Sequence, residues 1–191
     1  MITRISLMAT VCSLTLVGGA VAQTVGSEAE RNVDQQQRIE QGLKSGQLST
    51  GEAARLESGA SRIDRMESNA LKDGNLSPAE KARIQRAQNQ ESRRIYADKH
   101  NGITGNPESA SSERMQNDVQ RNINQQKRID QGIQSGSLSR RDVGQLERGQ
   151  ANVTRREARA GADGNINARE QRRIQQADNR QSRHIYHEKH E

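Results

Sequence analysis

The sequence predicts an all-α protein, built as a tandem duplication of one three-helix unit around a thin core. Residues 31–101 align without a gap onto residues 121–191, with 33 identities in 71 positions. Apolar residues recur at helical intervals of three and four, and no segment alternates with the period of two typical of a strand. The core is expected to be thin because the chain has no Phe or Trp and only two Tyr.

The first 22 residues are predicted to be a cleaved secretory signal. Arg4 precedes an apolar run over residues 5–17, and small residues ending in Ala-x-Ala lead to Gln23. The run is shorter than the roughly 20 residues of a membrane span, and no later segment approaches that length. We therefore expect a periplasmic or secreted protein, cleaved after Ala22, with no transmembrane segment in the mature chain. Cys12 is the only cysteine and lies inside the signal, so the mature chain offers no disulfide or thiolate ligand.

Unit 1 is predicted to span residues 23–101 and unit 2 residues 113–191, joined by a linker at 102–112 that contains Pro107 and several small polar residues. Each unit is expected to be a small three-helix bundle or an open helical hairpin with a trailing helix. The apolar stripes of unit 1 are Val33, Ile39 and Leu43, then Ala53, Leu56, Ala60, Ile63, Met66 and Ala70, then Ile84, Ala87 and Ile95. Those of unit 2 are Met115, Val119, Ile123, Ile129 and Ile133, then Val143, Leu146 and Val153, then Ile174, Ala177 and Ile185.

The breaks between the predicted helices combine a glycine suited to a helix end with a cap for the next helix. Capping boxes, in which side chains three residues apart satisfy each other's backbone amides, are predicted at four places. They pair Ser49 with Glu52, Ser77 with Glu80, Ser139 with Asp142 and Asn167 with Glu170. Because one unit of about 70 residues supplies little apolar burial, we expect the two units to pack together or the chain to form a homodimer.

The two Asp-Gly-Asn loops are the first candidate metal sites. They resemble the second half of an EF-hand calcium loop, and also the loops of dockerin modules, which implies calcium ligands at Asp73, Asn75, Glu80, Asp163, Asn165 and Glu170. The first and third loop positions depart from the family pattern, being Asn69 and Leu71 in one copy and Arg159 and Gly161 in the other. The alternative is that these loops are helix caps only, which accounts for every residue in them.

The second candidate metal site is the histidine cluster at the C-terminus, formed by His184, His187 and His190. Histidines three apart share a helix face, so a pair of them could hold a transition metal. The alternative is that they are solvated side chains which suit the negative end of a helix dipole.

No catalytic motif accompanies these candidates, and the acidic residues are expected to lie along polar helix faces without converging, so we predict no enzyme activity. The formal net charge is +6. The third helix of each unit has a basic side formed by Arg83, Arg86, Arg93 and Arg94, and by Arg172, Arg173, Arg180 and Arg183. Such a side either binds an anionic envelope polymer, such as lipopolysaccharide or extracellular DNA, or is simply solvated.

The signal and the two units resemble exported bacterial helical-repeat proteins of unassigned role, some of them EF-hand-like. The motifs that carry the resemblance are Gln37 to Ser49 within the unit and Arg94 to His100 at its end. The resemblance implies an exported helical protein without an established activity. The function expected from the sequence is therefore non-enzymatic, weak divalent metal binding in the cell envelope. The alternative is a structural or adaptor module that holds an anionic polymer on its basic helix faces.

Overall fold

The protein is all-α, as the sequence predicts. A computed structural model describes residues 19–190 and, within them, side chains from Val25 onward. The helices are α1 (Gly19–Lys44), α2 (Thr50–Ala70), α3 (Pro78–Lys99), α4 (Ala110–Ser135), α5 (Arg140–Ala160) and α6 (Ala168–Glu188), and no strand occurs in this range. The predicted signal at 1–22 lies outside the described residues except for Gly19 to Ala22, which belong to α1. Within the described range, every helix is too short or too polar to cross a membrane.

The helix ends follow the capping chemistry that the sequence predicts. All four capping boxes are formed, those of Ser49, Ser77, Ser139 and Asn167, and Pro78 opens α3. Gly136 ends α4 with a φ of 73°, the left-handed conformation that glycine adopts without strain. The segment between α3 and α4 covers residues 100–109, because α3 ends at Lys99 and Ser109 caps α4.

The two halves of the chain pack against each other through antiparallel helix pairs, which is one of the two arrangements that the sequence predicts. Helix α1 packs along α4 and α2 packs along α5, so these four helices form the centre of the molecule. The start of α5 meets the end of α2, where a Cβ on Gly144 would lie 3.0 Å from Leu71 Cβ. Helix α3 covers α1 and α2, and α6 covers α4 and α5.

Apolar residues fill the two ends of this four-helix centre, and polar residues fill its middle. One apolar cluster joins the end of α1 to the start of α4 and includes Leu43 and Met115. The other joins the start of α1 to the end of α4 and includes Val25 and Ile133. Between them lie buried polar side chains from all four central helices: Gln36, Ser61, Asp64, Gln126, Gln150 and Thr154.

Candidate functional site

Four carboxyl groups come together in the buried middle of the molecule, and we call them the Asp64 cluster: Glu28 on α1, Asp64 and Glu67 on α2, and Glu147 on α5. One carboxylate oxygen from each of Asp64, Glu67 and Glu147 lies within 4.8 Å of the other two. Their residues are only 2–5% exposed. The expectation that the acidic residues do not converge is therefore wrong.

Glu28 is the fourth member because it opens onto the same small cavity as Glu67 and Glu147. It is 4% exposed, and among the described residues its Oε2 atom has no hydrogen-bond partner. Glu147 Oε2 likewise has none. Buried carboxyl oxygens without a donor are costly, so the cluster needs protons or a cation.

Among the described residues the ion pairs involve other acids, so no carboxyl of the Asp64 cluster is in one. The charges of Arg31 and Lys81 act on Glu28 alone and lower its pKa less than burial raises it. Burial raises the pKa of Asp64 and Glu67 well above the usual carboxyl range, and the nearby Glu147 charge raises both further. Burial raises the pKa of Glu147 to about 7, and it raises the pKa of Glu28 as well. Without a bound cation, these carboxyls therefore hold protons to a higher pH than free ones do.

Amide side chains from α1 and α4 orient the glutamates. Asn32 Nδ2 donates to Glu67 Oε2 over 2.8 Å, and Gln126 Nε2 donates to Glu147 Oε1 over 2.8 Å. Thr154 Oγ1 lies 3.4 Å from Asp64 Oδ2. The oxygens of the cluster are thus positioned by a fixed polar framework and not by flexible surface side chains.

Two small cavities adjoin the cluster, each with about 10 Å³ of free space. Glu28, Glu67 and Glu147 line the first, which is otherwise mostly apolar. Asp64 lines the second together with amide side chains, including those of Gln36 and Gln150. A space of this size is near the lower limit for one water molecule or one small ion.

A second group of buried acids, the Asp118 cluster, contains Glu57, Asp118, Glu157 and Asp178. The first three are the repeat equivalents of Glu147, Glu28 and Glu67, whereas Thr154 replaces Asp64 and Asp178 has no acidic equivalent. Its oxygens do not converge as those of Asp64, Glu67 and Glu147 do. Burial raises the pKa of Glu57 to about 8, of Asp118 to about 7 and of Asp178 to about 6. It raises the pKa of Glu157 well above the usual range.

The first Asp-Gly-Asn loop has its polar atoms engaged in turn and cap contacts. Asp73 Oδ1 accepts the amide of Asn75 over 2.8 Å, and Glu80 Oε2 accepts the amide of Ser77 over 3.0 Å. Arg140 Nη1 donates to Gly74 O and to Asn75 Oδ1, each over 3.2 Å. A guanidinium from the other half of the chain therefore lies against the side-chain oxygen of Asn75, one of the predicted ligands, and against the carbonyl oxygen of the preceding glycine.

The second loop repeats these contacts with a different partner. Asp163 Oδ1 accepts the amide of Asn165, and Glu170 Oε2 accepts the amide of Asn167, each over 2.9 Å. Ser111 Oγ donates to Asn165 Oδ1 over 2.7 Å. These contacts agree with the capping alternative, and calcium binding at the six loop residues stays a prediction.

Two of the three C-terminal histidines contact Tyr186, and the third contacts Glu188. His184 Nε2 lies 3.0 Å from Glu188 Oε1, and His190 Nδ1 lies 2.6 Å from the carbonyl oxygen of Tyr186. The ring of His190 also stacks on Tyr186, with centroids 4.2 Å apart. His187 is exposed, and its ring meets Tyr186 edge-on. Metal binding at this cluster likewise stays a prediction.

The Asp64 cluster was missed because buried acids on a polar-rich helix look like a solvated face. The predicted seam of α2 included Met66, but Met66 is only half-buried, whereas its neighbour Glu67 is 5% exposed. The repeats carry a partial signal. Some polar residues that are identical in both copies are buried in both, as Glu67 and Glu157 are, whereas others, such as Asn89 and Asn179, are exposed in both.

No protein-family model, curated protein or solved structure matches this chain. Within residues 19–190 the protein is an assembly of six helices. Its distinguishing feature is the buried carboxyl cluster at the junction of the two halves.

Proposed function

We propose that this protein binds one hard divalent cation through the Asp64 cluster. The observation that carries the proposal is the convergence of Asp64, Glu67 and Glu147 within 4.8 Å. The orphaned Oε2 atom of Glu28, which lines the cavity shared with Glu67 and Glu147, supports it independently. The proposed role is that of a non-enzymatic cation-binding protein exported to the periplasm or beyond.

The chemistry of the donors determines which cations fit. The cluster offers oxygen ligands only, and carboxylate oxygens suit Mg²⁺, Mn²⁺ and Ca²⁺, whereas imidazole and thiolate ligands are favoured by zinc and copper. Calcium prefers six to eight oxygens. Four carboxyls beside cavities of about 10 Å³ favour a smaller, six-coordinate ion. We therefore expect Mn²⁺ and Mg²⁺ to bind more tightly than Ca²⁺.

Binding at this site is coupled to protons and to folding. The carboxyls with raised pKa must lose protons to bind the cation, so the affinity should increase from acidic to neutral pH. A cation that binds only the folded state stabilises it by RT ln(1 + [L]/Kd). A cation held between α2 and α5 would also tie the two halves of the chain together, which is consistent with an envelope protein whose apolar core is small.

The experiment is a titration of the mature full chain with Mn²⁺, followed by electron paramagnetic resonance of the free ion and by thermal unfolding. Glu147→Gln keeps the shape of the side chain but removes its charge, so we expect at least a tenfold loss of affinity. Glu57→Gln is the matched control, because Glu57 is the equivalent residue in the other half and is 0% exposed but lies outside the Asp64 cluster. It should change the affinity much less than Glu147→Gln does, because Glu57 supplies no oxygen to the site and acts on it only through its charge near Asp64.

Two results would overturn the proposal. One is wild-type protein that takes up no Mn²⁺, Mg²⁺ or Ca²⁺ at millimolar concentration and neutral pH. The other is an equal loss of affinity in both variants, or in neither, when circular dichroism shows both to be folded. Both variants should fold, because glutamine is neutral and the carboxyls that it replaces are already neutral at mildly acidic pH. Their folding is therefore checked first at that pH.

A further inference from the structure

The middle stretches of α3 and α6 carry positive charge without exposed acids. Between Gln171 and His187 the only acidic residue is Asp178, which is 0% exposed. Between Lys81 and Ala97 the only one is Glu91, which is 2% exposed. Among the described residues, the exposed guanidiniums of Arg83, Arg86, Arg93, Arg172, Arg173, Arg180 and Arg183 form no ion pair.

On one side of α6 this positive surface folds into a concave site, an open groove of about 480 Å³ between α4 and α6. We call it the α4–α6 groove. Its lining consists of Arg128, Asn179, Ser182, Arg183, Tyr186 and His187. No carboxylate lines it, and its volume lies within the usual range for small-molecule sites.

Arg128 is held in place before any ligand binds. Its Nη1 atom donates to Ser182 Oγ over 2.7 Å, and its Nη2 atom donates to the carbonyl oxygen of Ser182 over 3.2 Å. These bonds fix the guanidinium plane while leaving other N–H groups available. An arginine fixed in this way loses less conformational entropy when it binds an anion.

Three further side chains of the α4–α6 groove, all on α6, add hydrogen-bond donors for an anion beside Arg128. Arg183 and His187 are one helical turn apart, so their side chains share a face of the helix. Tyr186 is 57% exposed between them and presents both a ring and a hydroxyl. Two guanidiniums, an imidazole and neutral donors around one groove suit a compact ligand with several anionic oxygens.

We propose that the α4–α6 groove binds a phosphate monoester. A monoester carries up to two charges and three terminal oxygens, which matches two arginine forks better than a singly charged phosphodiester does. The phosphate could be attached to a small soluble sugar or to a lipid headgroup in a membrane. The chemistry recognised in the groove is the same in both cases.

The first half of the chain supplies an internal comparison. The residues at the equivalent positions are Arg38, Asn89, Ser92, Arg93, Tyr96 and Ala97. Arg38 Nη2 donates to Ser92 O over 3.1 Å, as Arg128 does to Ser182. The difference is Ala97, which replaces the imidazole of His187. We therefore expect the stronger site in the second half.

The test is calorimetric titration of the full chain with glucose 1-phosphate, with glucose as the uncharged control. Arg183→Ala should weaken binding at least tenfold. The matched control is Arg180→Ala, which removes the same charge from an exposed position of α6 outside the groove lining and should change affinity less than twofold. Cosedimentation with vesicles containing phosphatidic acid, a monoester, or phosphatidylglycerol, a diester, distinguishes the lipid source from the soluble one.

Binding of glucose 1-phosphate alone supports a soluble ligand, and preferential binding to phosphatidic acid supports a lipid one. Equal weakening by Arg180→Ala and Arg183→Ala would overturn the proposal, because it would show a diffuse electrostatic surface. Binding to duplex DNA with no response to either monoester would overturn it as well, as would no binding to any of these probes at millimolar concentration. Circular dichroism is the folding check, and neither arginine is buried.

Discussion

Ser61 on α2 donates its hydroxyl proton to the carbonyl oxygen of Ala151 on α5, over 2.8 Å. The two residues are 90 positions apart, which is also the offset between the two copies of the repeat. Asp64 and Thr154 make the next such contact, again 90 positions apart. The antiparallel helices α2 and α5 therefore cross where equivalent residues of the two copies face each other.

This crossing predicts that the two halves unfold together. The apolar cluster that contains Leu43 and Met115 draws residues from both halves, so neither half keeps its core when the other unfolds. We expect a single transition with the same midpoint whether urea unfolding is followed by circular dichroism or by tyrosine fluorescence. Two separated transitions would contradict this expectation.

Loss of the Ser61 hydroxyl should destabilise the protein measurably. Ser61→Ala removes a buried hydrogen bond, which typically contributes about 1 kcal/mol to the free energy of unfolding. Ser58→Ala is the control because Ser58 lies on the same helix but is exposed, so its effect should stay within about 0.5 kcal/mol. Urea denaturation of both variants at one pH measures the difference, and equal stabilities would refute the assigned role of the bond.

The sequence predicts the helices well and the interior poorly, for a physical reason. Caps and glycines act within a few residues, so Ser77 and Gly136 mark the ends of helices from local chemistry alone. Whether a polar side chain faces solvent depends on which other helix covers it. Glu67 is buried only because α1 and α5 pack against α2, and that pairing between the two halves is not encoded in the local pattern.

Gly149 should be intolerant of a methyl group although it lies inside a helix. Alanine usually stabilises a helix by up to about 1 kcal/mol relative to glycine. A Cβ on Gly149, however, would lie within van der Waals overlap of the Gln181 side-chain amide of α6, with Cδ at 2.6 Å. We expect Gly149→Ala to lower the melting temperature because the methyl group displaces the buried Gln181 side chain and breaks its hydrogen bond to the carbonyl oxygen of Leu146.

Gly26→Ala is the control for this effect. The nearest atoms to a Cβ on Gly26 lie 3.9 Å and 4.0 Å away, which is ordinary contact. This substitution should therefore raise the melting temperature through helix propensity. If both alanine variants were stabilised, the close approach of α6 to α5 at Gly149 would be wrong.

The protein should be more stable in acid than at neutral pH. Burial raises the pKa of Glu57 from 4.5 to about 8, and that of Asp118 from 3.8 to about 7. Between the unfolded and folded pKa values, the folded state binds more protons than the unfolded one, so the free energy of unfolding decreases as pH rises. The stabilisation that these protonated carboxyls contribute is fully present below about pH 4 and is lost progressively up to about pH 8. Urea denaturation across this range, in a chelator to remove cations, measures the trend.

The slope of this trend identifies the groups responsible. Each additional proton bound by the folded state changes the free energy of unfolding by about 1.4 kcal/mol per pH unit. Glu57→Gln should reduce the slope of the free energy of unfolding against pH by about one proton's share between pH 5 and 7, since glutamine does not titrate. Glu80→Gln is the control, because Glu80 is a surface cap whose pKa is lowered by its hydrogen bonds to Ser77. An unchanged slope in Glu57→Gln would show that Glu57 ionises freely in the folded protein.

The last prediction separates capping from calcium binding in the Asp-Gly-Asn loops. Asp73→Ala removes the hydrogen bond between Asp73 Oδ1 and the amide of Asn75, so stability should decrease by up to about 1 kcal/mol. Because Arg140 already contacts Gly74 O and Asn75 Oδ1, we expect this decrease to be the same with and without calcium. Thermal unfolding in calcium and in chelator, with Asp163→Ala as the equivalent change in the second loop, measures it. A calcium-dependent stabilisation that Asp73→Ala abolishes would instead establish the EF-hand-like site, because only a bound ion makes the effect of this carboxylate depend on calcium.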